Sequence, residues 1–115
     1  MASSANLSLN ITAFLDTGKK DHIPPGMNFL TSPGRFDKVN VPVGNSTLTP
    51  PAGTNAIGVI VPPTTAVVTV KGVAGDVGIP LMLSPTDTRW FVLPFGTAFV
   101  VNSTAIINNV EVLYL

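Results

Sequence analysis

Ala56-Ile-Gly-Val-Ile-Val-Pro-Pro-Thr-Thr-Ala-Val-Val-Thr-Val-Lys-Gly72 is the stretch that decides the fold class. Valine, isoleucine and threonine dominate two short runs, 56–61 and 66–70, and these residue types favour β-strands. Pro62-Pro63 follows the first run and Lys71-Gly72 ends the second. Because proline and glycine interrupt regular structure, the pattern predicts two short strands separated by a turn.

The same pattern extends in both directions along the chain. Further strands are expected at 27–31, 36–43, 77–83, 89–93, 97–101, 105–107 and 110–115, with turns between them. Pro80 lies inside the run 77–83, which makes that run an edge or bulged strand. Eight or nine short strands with closely spaced turn signals predict an all-β, single-domain β-sandwich over residues 1–115, with the jelly roll as the favoured arrangement.

The N-terminal third is organised differently. Apolar and polar residues alternate over 7–15, which predicts one half-buried strand. Residues 1–12 could form an arm that adds to the sheet of a neighbouring subunit. Loops are expected at 16–26 and 44–54, and the segment 16–38 is expected to be a charged loop region because it holds seven of the twelve charged residues.

Charge is scarce in this chain. Only 10% of the residues are charged, against about 25% in an ordinary soluble domain. A surface of threonine, serine, asparagine, proline and glycine is better suited to packing against protein than to standing alone in water. The net charge of zero argues against nucleic acid and anionic membranes as partners. No cysteine is present, and neither a secretory signal nor an apolar run of membrane-spanning length is recognised.

One motif suggests an enzyme. Ala13-Phe-Leu-Asp-Thr-Gly18 matches the local signature of aspartic proteases, in which two carboxylates share one proton. A homodimeric aspartic protease with Asp16 as its catalytic residue is therefore an alternative. Against it, Lys19-Lys20 follow the glycine, and Asp-Thr-Gly is also ordinary turn chemistry. The turn is the favoured interpretation, so no enzyme activity is expected.

No cofactor or metal is expected either. His22 is the only histidine and there is no cysteine, so the usual nitrogen and sulfur ligands are lacking. The residues expected at subunit interfaces are apolar side chains of the alternating N-terminal strand and aromatic side chains of the C-terminal half. They are Leu7, Leu9, Ile11, Trp90 and Phe95.

Residues 55–115 carry a resemblance to a protein family. Val70-Lys-Gly-Val-Ala-Gly-Asp-Val-Gly-Ile79 resembles a stretch of small virion proteins of tailed bacteriophages, in which Lys-Gly leads into Gly-Asp-x-Gly-Ile and a short apolar strand. The similarity continues through Arg89-Trp-Phe-Val-Leu-Pro94, Gly96 and Val110-Glu-Val-Leu-Tyr114. The resemblance implies a capsid decoration (cement) protein on the capsid exterior, without catalysis.

The partners expected on this basis are the major capsid protein and further copies of the chain, as a dimer or trimer. Many weak contacts repeated over a lattice become strong through multivalency. A head-fibre or tail knob that binds host glycans is the structural alternative.

Overall fold

The computed structural model describes residues 4–8, 10–15, 17–23, 25–29 and 34–115. These residues contain twelve strands and no helix. The first four are β1 (Ala5–Leu7), β2 (Ile11–Leu15), β3 (Gly18–His22) and β4 (Met27–Phe29). The other eight are β5 (Arg35–Val41), β6 (Gly44–Leu48), β7 (Ile57–Val61), β8 (Val68–Lys71), β9 (Ile79–Pro80), β10 (Arg89–Leu93), β11 (Phe99–Ser103) and β12 (Ile107–Tyr114).

Strands β5 to β12 form two antiparallel four-stranded sheets. Sheet I has the order β10-β7-β12-β5, and sheet II has the order β6-β11-β8-β9. Side chains from both sheets meet in one buried cluster, as in a β-sandwich. The predicted all-β sandwich is therefore confirmed, although twelve strands replace the eight or nine expected.

Strand pairing in the sandwich is nested. The first strand, β5, pairs with the last, β12; β6 pairs with β11, β7 with β10, and β8 with β9. In all four pairs the registers are nearly symmetric about Ala74 and Gly75, which lie between β8 and β9. The eight strands thus follow the path of one long hairpin that is rolled into two sheets, with its tip at residues 72–78.

The core is built from alternating residues of the strands. In β7, Ile57 and Val61 are buried while Ile60 between them is exposed, because successive strand residues point to opposite faces. Leu115 is also fully buried, and its main chain bonds to that of Asn55 and Ala56. An apolar cavity of ≈ 70 Å³ lies between the sheets.

The first strands differ from the expectation. The single strand predicted over 7–15 is divided into β1 and β2, which pair with β4 and β3 respectively. The loop predicted over 16–26 contains β3, whose Gly18 pairs with Leu15 of β2. Among the described residues, the two resulting two-stranded sheets, here called the ribbons, do not pair with a strand of the sandwich.

Two further expectations were wrong in detail. Residues 44–48, predicted as loop, form β6 and pair with β11. The turn predicted between the strands 105–107 and 110–115, at Asn108-Asn109, is a bulge inside one continuous strand, β12, where the register shifts between Ile107 and Val110. Asn109 has a φ of 62° there, a left-handed conformation that asparagine tolerates better than most residues.

Candidate functional site

The outward side of sheet I is largely apolar. The pairing registers align two rows of residues across its four strands. The first row, from β5 to β10, is Phe36, Leu113, Gly58 and Val92, and the second is Lys38, Glu111, Ile60 and Trp90. Outward residues of a sandwich are ordinarily polar. The six uncharged residues of these two rows are here called the apolar face.

A groove crosses the apolar face at Gly58. This residue has no side chain, and a Cβ placed on it would have Leu113 as its nearest neighbour at an ordinary 3.8 Å. The missing side chain leaves a groove of ≈ 260 Å³ whose walls include Ile60, Trp90 and Val92. Leu7 and Ser8 of the N-terminal segment also line it, so a leucine already lies against this groove.

The outward side of sheet II has the opposite character. One of its rows consists of Asn45, Asn102 and Thr69, and the Asn102 side-chain amide donates to Oδ1 of Asn45 at 2.8 Å. The next row places Val100, which is buried, between Thr47 and Lys71. The two outer faces of one sandwich therefore differ, and only that of sheet I resembles the core of a protein interface.

A second apolar surface lies at residues 72–78, here called the tip loop. Asp76 closes this loop, since the Val73 amide donates to its carboxylate at 3.0 Å and its own amide donates to the Val73 carbonyl at 3.1 Å. Gly78 has a φ of 78° and lies so close to β8 that a Cβ would come within 2.6 Å of Thr69. This fixed loop holds Val77 outward, 93% exposed.

The β5 edge of sheet I carries charge. Arg35 donates to the Asp37 carboxylate through Nε at 3.0 Å and forms an ion pair with it through Nη2 at 2.8 Å. Its guanidinium also lies 4.9 Å from the centre of the Tyr114 ring. The hydrogen bond to Asp37, with smaller contributions from its charge and from Tyr114, raises the pKa of Arg35. Charged residues on an edge strand discourage pairing with other chains. The opposite edge strand of sheet I, β10, has Arg89 as its single charged residue.

The predicted interface residues are found in three different settings. Trp90 belongs to the apolar face and is 52% exposed, while Leu7 lines the groove beside it. Phe95 lies elsewhere, with its ring against that of Phe99 at 5.2 Å on the border of the core. Ile11 is described only as a backbone position of β2 that pairs with His22, and Leu9 lies outside the described residues.

The enzymatic alternative is not addressed by this geometry, because Asp16 also lies outside the described residues. In the parts of the chain that are described, no group of three or more histidine, cysteine or acidic side chains is placed to hold a metal ion. Nor do those parts contain a helix long and apolar enough to cross a membrane. The groove beside Phe95 includes Lys71 and Asp76, but both side chains already bond to the main chain of the tip loop.

Sequence reasoning missed most of the apolar face. The sequence pattern places Phe36 and Leu113 in strands but does not tell which face of the sheet they occupy, and it does not distinguish Ile60 from its buried neighbours. The signal that was available is Gly58, since glycine inside a strand often marks the close approach of another chain or a ligand. Comparison with known proteins adds nothing to this assignment, because no family model, curated protein or solved structure matches the chain.

Proposed function

We propose that this protein is a structural, non-enzymatic component of a bacteriophage virion, a cement protein that binds the outside of the capsid and bridges neighbouring capsomers. The observation that carries the proposal is the pair of separate apolar surfaces, the apolar face and the tip loop, on a domain with 10% charged residues. A subunit that bridges others needs at least two such surfaces, because it must contact more than one protein.

The nested pairing supports a finer assignment of the fold. Among the eight antiparallel strands of the two sheets, the first pairs with the last, and the nesting continues to the central pair. This is the strand path expected of a jelly roll. This architecture recurs in viral capsid proteins. The fold by itself does not define a function, and it enters the proposal only as agreement with the resemblance noted for residues 55–115.

The tip loop is suited to docking on a shell of the major capsid protein. Asp76 and Gly78 fix its shape before binding, so little conformational entropy is lost when it docks. The exposed side chains of Val73 and Val77 then supply apolar contact without a charge partner. One such contact is weak, and repetition over a lattice makes the attachment strong.

The test is co-sedimentation of the purified protein with expanded heads of the phage that carries it. We expect saturable, stoichiometric binding and a higher melting temperature of the heads. Val77→Asp is expected to reduce binding at least tenfold without changing the unfolding midpoint, because Val77 is 93% exposed and makes no core contact.

Thr65→Asp is the matched control, since it adds the same charge at another exposed position and should bind as the wild type does. This docking role would be contradicted if the heads did not bind the wild-type protein. It would also be contradicted if they bound Val77→Asp as well as Thr65→Asp.

A further inference from the structure

The apolar face is only partly covered within one chain. Trp90 and Phe36 remain 52% and 55% exposed, although Leu7 reaches the groove between them. Among the described residues, the β1–β4 ribbon and the β2–β3 ribbon each pair only internally. A two-stranded ribbon by itself is marginally stable at best in water, so the β1–β4 ribbon depends on the sandwich surface that Leu7 contacts, whether that surface belongs to its own chain or to another copy.

We propose that the groove at Gly58 receives Leu7 and the β1–β4 ribbon of a second copy of this chain, while the second copy's groove receives the ribbon of the first. The inference rests on the proposed function, because it names the partner at one of the two apolar surfaces. A reciprocal exchange of this kind is a closed, twofold-symmetric contact, so it ends at a dimer instead of propagating.

Area favours an exchange over simple contact between two faces. The exposed parts of Trp90, Phe36 and Ile60 amount to roughly 300 Å² of apolar surface. A stable interface buries about 800 Å² on each partner. The apolar face alone falls well short of that area, and a ribbon from each copy supplies further surface on both sides.

Chemistry favours a second copy as the occupant. The chain's own Leu7 lines the groove, so the identical Leu7 of a second copy fits the same groove when the two copies exchange their ribbons. The chain has a net charge of zero, and two copies therefore approach without net repulsion. Lys38 and Glu111 are aligned on neighbouring strands beside the groove. These two charged residues provide a polar rim.

The absence of cysteine in the sequence allows a direct test with the full-length chain. One preparation carries Leu7→Cys and a second carries Val92→Cys in the groove wall. After mixing and mild oxidation, we expect a cross-linked species of twice 12.0 kDa that contains one copy of each variant. The control mixture pairs Leu7→Cys with Thr47→Cys on the outer face of sheet II and should give at least tenfold less cross-linking.

A second variant separates docking from folding. Gly58→Val fills the groove with a side chain that strands favour, at a position where a Cβ meets no close neighbour. We expect it to unfold at the same or a higher urea concentration than the wild type, yet to abolish the cross-link between chains.

Two results would overturn the exchange. The first is that the mixture of Leu7→Cys and Val92→Cys cross-links no better than the control mixture with Thr47→Cys. The second is that a Leu7→Cys/Val92→Cys double variant forms its disulfide only within single chains. The binding of the wild-type protein to heads distinguishes a failure of the exchange proposal from a failure of the proposed cement function. If heads still bind the protein saturably, only the exchange is wrong; if they do not, the cement role is wrong as well.

Discussion

Gly78 is the residue on which the shape of the tip loop depends most. Its φ of 78° is strained for other residues, and a Cβ would lie 2.7 Å from the Val70 carbonyl oxygen, which is main chain and cannot rotate away. Gly78→Ala is therefore expected to lower the free energy of unfolding by about 1–3 kcal/mol. Urea denaturation followed by Trp90 fluorescence measures this change.

Gly75 provides the matched control in the same loop. It has no positive φ, and a Cβ there meets nothing within 4 Å, so Gly75→Ala should change the free energy of unfolding by no more than about 0.5 kcal/mol. Equal effects of the two substitutions would show that the close approach to β8 is not what fixes the loop.

Asn109 permits a similar comparison at the bulge of β12. Because its φ is 62°, Asn109→Gly should be close to neutral, whereas Asn109→Val should cost about 1–2 kcal/mol, since a β-branched side chain strongly disfavours this region. Thermal unfolding of the two variants measures the difference. A neutral Asn109→Val would mean that the strand can straighten and that the bulge is not imposed by the fold.

The end of strand β12 is held by side-chain burial and by main-chain hydrogen bonds together. Leu115 is 1% exposed; its amide donates to the Ala56 carbonyl at 2.9 Å, and its carbonyl accepts from Asn55 at 2.7 Å. Leu115→Ala keeps these bonds and should cost about 2–5 kcal/mol through the cavity it leaves. Deletion of Leu115 should cost about 1 kcal/mol more for each hydrogen bond lost.

Denaturant unfolding of both variants provides the comparison. If deletion costs no more than Leu115→Ala, the main-chain bonds to Asn55 and Ala56 contribute nothing to stability, contrary to this account.

The sequence predicted the strands of the sandwich better than those of the ribbons. Proline and glycine mark the ends of β7, β8 and β10, and these strands lie where the pattern predicted them. Charged residues concealed β3, since Gly-Lys-Lys-Asp-His is more typical of a loop than of a strand. Its pairing with the apolar β2 is a tertiary preference that local propensity does not contain.

Pairing between distant strands is a property of the whole molecule and was not available from the sequence. Nothing in the run 56–61 indicates that Ile60 would face outward beside Trp90 and Glu111, because alternation alone does not tell which side of a strand meets the core. The overall scarcity of charge is readable from the sequence, and the protein contact that it suggests stays a prediction. The location of the apolar face required the sheet order.

The native mass in solution is the most direct test of the proposed contact between copies at the apolar face. Sedimentation velocity of the full-length protein should give a mass of twice 12.0 kDa, falling to 12.0 kDa for Gly58→Val. A wild-type protein that remains a 12.0 kDa monomer at every concentration, with Trp90 freely quenched by solutes, would contradict the account.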